Sequence, residues 1–172
     1  MSTASPWPHI VALGDARRGA SLHLVADDAA RAAVAMALYI ESLESLDADI
    51  DLSEWLDGVQ IDGAWRARIV QICGVSLDPF ETALNGRFSI HAVPPGSPNA
   101  PAEPVGEVAI DEDSEDPPDL MENENLDVGF YVVEHLALEI DPFPRKPGVE
   151  FEQPEGPKPS SPFDVLRGLK RD

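Results

Sequence analysis

The sequence predicts an α+β domain: an antiparallel β-meander with one helix before it and one after it, interrupted by an acidic loop and followed by a Pro-rich C-terminal tail. Three observations predict it. Apolar and polar residues alternate through the stretch around Trp65–Phe80 and beyond, the period of strands with one face on a core and the other in water. A run rich in Ala, Leu, Glu and Met precedes that stretch, and an apolar run at helical spacing follows it. Residues 94–125 and 142–162 lose both periods and fill with acidic residues and prolines.

Residues 1–20, with two prolines and two glycines, read as a loose N-terminus ahead of a domain spanning 21–141. Leu22 to Val25 suggest a short strand. Asp27 or Asp28 then offers an N-cap oxygen to the free amides of a helix running from Ala29 to about Leu46, with a stripe of Ala29, Ala33, Met36, Ala37, Ile40 and Leu43. Asp47 to Leu56 alternates, with Ala48, Ile50 and Leu52 against Asp49, Asp51 and Ser53. Asp57-Gly58 and Asp62-Gly63 are turn or bulge signals. The meander is therefore expected to use strands 47–61, 64–73 and 80–93.

In its middle, Trp65, Ala67, Ile69, Gln71 and Cys73 share a face with Val59 and Ile61, and Arg66 and Arg68 take the opposite one. Gly74 to Pro79 forms a turn. Phe80, Thr82, Leu84, Phe88 and Ile90 then face the core, with Glu81, Asn85, Arg87, Ser89 and His91 facing water. Residues 94–125 carry no lysine or arginine and read as an acidic loop, with an edge strand possible at 107–110. Leu126 to Ile140 forms the second helix, capped by Asn125 or Asp127, with Val128, Val132, Val133, Leu136 and Ile140 buried, and Pro142 and Pro144 stop it. Residues 142–172 are a Pro-rich linker ending in an apolar, basic-ended docking peptide around Phe163, Val165, Leu166 and Leu169.

Composition bounds the chemistry. The 172 residues are 43% apolar and 6% aromatic, enough for one mostly aliphatic core. A net charge of −20 repels nucleic-acid phosphate and attracts basic partners over a Debye length of about 8 Å, so DNA is not expected as a ligand. The single cysteine, Cys73, excludes a disulfide within the chain and a cysteine-based zinc site, and fits a reducing compartment. The first residues lack a secretory pattern, and no apolar run approaches the roughly 20 residues that span a bilayer. A cytoplasmic protein without membrane contact is expected.

Catalytic signatures are weak. Glu134 and His135 are neighbours on a helix and point about 100° apart. Gly14 to Gly19 lacks the lysine and serine of a phosphate-binding loop. His9 and His23 have no partner in the sequence, and His91 lies on the polar side of its strand. No enzyme and no cofactor are expected. Two binding surfaces stand out instead. One is the acidic loop, Asp111, Glu112, Asp113, Glu115 and Asp116, suited to a basic protein. The other is Arg66, Arg68 and Arg87, which strand pairing through the Gly74–Pro79 turn gathers with Ser89 and His91 on one outward face, suited to RNA phosphate. Trp55, Trp65 and Phe88 are the aromatics available for base stacking, although core packing better explains the last two.

Cys73-Gly74-Val75-Ser76-Leu77-Asp78-Pro79-Phe80 resembles the turn of the bacterial YceD family, whose members typically carry Cys-x-x-Cys-Leu-x-Pro-Phe there. Leu126-Asp127, the run from Val133 to Leu138, Pro142 and Pro144, and the ending Pro162-Phe163-Asp164-Val165-Leu166-Arg167-Gly168-Leu169-Lys170 are also similar to that family, over roughly residues 20–172. Ser76 stands where many relatives have the second cysteine, so no thiol pair exists here, and Cys73 reads as structural. The resemblance implies an α+β domain linked to accumulation of large-subunit ribosomal RNA, hence ribosome biogenesis. The expected activity is non-enzymatic binding of a basic ribosomal protein or pre-ribosomal particle. The alternative is direct recognition of ribosomal RNA by the arginine-bearing sheet face.

Overall fold

A computed structural model describes residues 5–101 and 116–151. The fold is α+β. Strands β2 (Ala20–Val25), β3 (Ser42–Trp55), β4 (Gly58–Ile72) and β5 (Pro79–Val93) form an antiparallel meander. β6 (Asp119–Leu120) adds in parallel to β5, giving a five-stranded sheet of order β2-β3-β4-β5-β6. A separate two-stranded ribbon pairs β1 (Ile10–Ala12) with β7 (Asn125–Asp127). The helices are α1 (Leu13–Ala16), α2 (Asp28–Ala37) and α3 (Val128–Glu139).

One face of the sheet carries the core. Leu46, Ile50, Val59, Ile61, Trp65 and Ile69 are fully buried there against Val34 of α2 and Val128, Val132 and Leu136 of α3. The expected caps form. Asp27 accepts the Ala30 N–H at 2.8 Å, and Asp127 accepts those of Phe130 (3.2 Å) and His9 (2.8 Å).

Four expectations are corrected. First, α2 ends at Ala37, and residues 42–46 belong to β3. A β-bulge between Leu43 and Ser45 puts both Leu43 and Leu46 into the core, a three-residue spacing that imitates a helix. Second, the buried side of α2 is Val34 and Ala35, with Ala30 and Leu38 half-buried, whereas Met36 is exposed.

Third, Asp62-Gly63 is neither turn nor bulge. β4 runs unbroken through it, and only Asp57-Gly58 marks the hairpin turn. Gly63 lies opposite Phe88, and a Cβ there would sit 2.2 Å from the phenyl Cζ. Gly86 lies opposite Trp65, where a Cβ would meet the indole at 2.7 Å. Each glycine thus seats a core aromatic from the neighbouring strand. Fourth, the described part of the N-terminus is packed. Trp7 is 4% exposed, and its carbonyl lies so close to α3 that only glycine fits at Gly129.

Candidate functional site

With helices on one face, the other face of the meander is left uncovered by the described residues, and the register dictates what it displays. Along β3 it carries Ser45, Asp47, Asp49 and Asp51; along β4, Asp62, Ala64, Arg66 and Arg68; along β5, Ala83, Asn85, Arg87 and Ser89. The pairs Asp47–Arg66, Asp51–Asp62, Ala64–Arg87 and Arg68–Ala83 are direct cross-strand neighbours.

The structure brings Arg66, Arg68 and Arg87 to one shallow depression of about 550 Å³, with Asn85 and Ala64 between them. They are not electrically equal. Arg66 donates to Asp47 through Nε (3.0 Å) and Nη2 (2.5 Å) and has Asp49 at 3.9 Å, and Asp47 raises its already high pKa. Arg68 and Arg87 have no carboxylate within 4.0 Å among the described residues. Arg87 also borders a second depression that holds Asp49, Asp51 and Asp62.

These aspartates were missed as a site by sequence reasoning. Alternation placed Asp49 and Asp51 on one face, but setting them against the arginines required knowing that the hairpin turns at Leu56-Asp57 and that β4 continues through Gly63. Asp51 faces Asp62 directly. The Ser21 hydroxyl donates to Asp51 at 2.5 Å and the Gln60 amide to Asp62 at 3.0 Å, so each acid is bridged to a neutral group and the two face each other as like charges.

His23, without a partner in sequence, has Nδ1 at 2.6 Å from Asp49. The Ser21 hydroxyl beside it points to Asp51 rather than to the imidazole, so the four side chains form two separate pairs and no nucleophile–base relay. His91 leaves the arginine group. Its ring stacks on Trp55, with centroids 4.1 Å apart, at the hairpin end of the face. Trp65 is buried, and Phe88 stacks on His135 of α3 on the core side, so of the three aromatics only half-buried Trp55 belongs to the open face. Glu134 is exposed, and the His135 ring Nδ1 lies 2.8 Å from the Tyr131 carbonyl, an i,i+4 contact within α3.

Of the acidic loop, Asp116 is exposed, and Asp111, Glu112, Asp113 and Glu115 lie outside the described residues, as does the C-terminal docking peptide. Among the described residues no group of three His, Cys, Asp or Glu side chains is placed to hold a metal ion. No helix of the described residues is long and apolar enough to cross a membrane.

The open face is thus suited to ionic binding, with an acidic row along β3 and β4 beside an arginine group on β4 and β5. A family model described as large ribosomal RNA subunit accumulation protein YceD matches residues 61–170, well over half of the chain. No curated protein and no solved structure matches it.

Proposed function

We infer that this chain, which belongs to the YceD family of large ribosomal RNA subunit accumulation proteins, works by binding rather than by catalysis, and that its direct partner is a basic ribosomal protein held in the cytoplasm before or during assembly. The observation that carries this reading is the acidic row of Asp47, Asp49, Asp51 and Asp62 on the solvent side of the sheet. Like charges set directly opposite one another lower stability, by roughly 0.2–1 kcal/mol for an exposed pair. A cationic partner relieves the Asp51–Asp62 opposition on binding. The net charge of −20 and the acidic stretch containing Asp111, Glu112, Asp113, Glu115 and Asp116 support the same kind of partner.

A second reading is favoured by one observation, the convergence of Arg66, Arg68 and Arg87 on a single depression. In that reading the face contacts ribosomal RNA, with phosphate held by the guanidinium groups of Arg68 and Arg87, which have no carboxylate within 4.0 Å among the described residues. The aspartates beside Arg87 oppose it, since Asp49, Asp51 and Asp62 line the depression that this arginine also borders and repel phosphate there.

Neutralisation separates the two. Asp62→Asn should raise stability by roughly 0.2–1 kcal/mol and weaken binding of RNA-free large-subunit proteins. Replacing Asp111, Glu112, Asp113, Glu115 and Asp116 by Asn or Gln should abolish that binding. If these variants instead leave protein binding intact and tighten binding of large-subunit ribosomal RNA, and Arg66, Arg68 and Arg87 to Ala removes the RNA, the second reading replaces the first.

A further inference from the structure

At the far end of the sheet from the β3–β4 turn, two residues that are not glycine hold left-handed backbone: Tyr39 (φ 55°) and Leu77 (φ 61°). Such a conformation is strained for any side chain with a Cβ. Tyr39 sits just past α2. Its N–H bonds to the Met36 carbonyl at 3.4 Å and the Ile40 N–H to the Ala35 carbonyl at 3.2 Å, the paired closure in which this residue is usually glycine. Packing does not offset the strain, because Tyr39 is 96% exposed. Leu77, in the β4–β5 turn, is 74% exposed. A strained residue whose side chain stands in water points to a use for that side chain outside the fold.

The surroundings fit such a use. Tyr39 borders a depression of about 420 Å³ with Glu41, Ile72, Ile140, Asp141 and Pro142. Three pieces of chain remote in sequence wall it, and they are fixed to one another. The Gln71 amide, 7% exposed, donates to the Asp141 carbonyl at 3.0 Å, and the Gly74 N–H donates to the Pro144 carbonyl at 2.9 Å. The two charged groups of the lining, Glu41 and Asp141, are both acidic. Of the cations on the same segment, Lys146 has Asp78 at 3.8 Å and Arg145 lies outside the lining.

We propose that this end of the sheet anchors an arginine- and leucine-bearing segment of a basic protein. The guanidinium lies over the Tyr39 ring between Glu41 and Asp141, and the apolar side chain rests on Ile72 and Leu77. The proposal rests on the reading of a basic protein partner and adds a place of attachment separate from the aspartate row.

The test uses the full chain and a fluorescently labelled peptide of six arginine–leucine repeats, read by anisotropy, with Tm measured in parallel. Tyr39→Gly should weaken the peptide roughly three- to tenfold and raise Tm by roughly 2–4 °C, opposite signs that a purely structural residue does not produce. Tyr39→Leu should lose the same affinity with Tm unmoved, and Tyr39→Phe should bind like the parent. If the glycine and leucine variants bind as the parent does, while neutralising Asp49, Asp51 and Asp62 abolishes binding, the anchor is overturned and the basic-partner reading stands. A parent chain that fails to bind at about 1 mM overturns both. Tighter binding after Phe163, Leu166 and Leu169 are changed to Ser assigns the depression to the chain's own C-terminal segment and overturns the proposal.

Discussion

The buried Cys73 thiol accepts three backbone N–H groups, from Val75, Ser76 and Lys146, each at 3.4 Å. The Ser76 side chain first, then the Ser76 and Lys146 amides, lower its pKa to about 6 against the opposing effect of burial. The backbone N–H of Ser76, at the position where many relatives are expected to have a second cysteine, donates to the remaining one, and Lys146 ties the segment after α3 to the end of β4 through the same sulfur. A thiol whose folded pKa lies below its ordinary value of 9.0 adds stability that is full above pH 9, falls as the pH drops toward 6, and is gone below 6. Urea unfolding of the parent should therefore show stability gained between pH 6 and 9 that Cys73→Ala lacks. Parallel profiles for the two proteins would contradict this account of the turn.

Elements show what could be read from sequence and what could not. Alternation was enough to place Trp65, Ala67, Ile69 and Gln71 inside and Arg66, Arg68 and Arg87 outside, because a half-buried strand has a period of two whatever its neighbours are. Asp57-Gly58 and Asp62-Gly63 look alike locally, yet one is a turn and the other the middle of a strand. What distinguishes them is Phe88, 25 residues beyond Gly63 in the chain and directly opposite it in the sheet. The end of α2 was hidden by the bulge at Leu43/Ser45, and the β1–β7 ribbon by its sequence separation, since no local signal announces a partner over 100 residues away. The aspartate–arginine face shares that fate, being a property of register. If the glycines seat the aromatics, Gly86→Ala and Gly63→Ala should each cost roughly 1–3 kcal/mol in denaturant unfolding, because the indole and the phenyl ring must leave well-packed positions. Costs below about 0.5 kcal/mol would mean that the rings yield freely and that glycine is incidental at both sites.

For the molecule as a whole, asymmetry is the main feature. Helices and the N-terminal ribbon cover one side of the sheet and supply its core, while the other side presents charge. A chain of net charge −20 that concentrates aspartates beside a few arginines has a field suited to drawing in cationic protein and limiting indiscriminate contact with nucleic acid. The partner proposed above, a basic ribosomal protein taken up in the presence of abundant RNA, calls for that property. The most direct measurement is a pull-down with the purified 172-residue chain from cell lysate, run with and without RNase, with large-subunit ribosomal proteins identified by mass spectrometry and large-subunit RNA quantified alongside. The account predicts that identified basic large-subunit proteins stay bound after RNase treatment. Their loss together with the RNA would contradict it and move the contact to Arg66, Arg68 and Arg87.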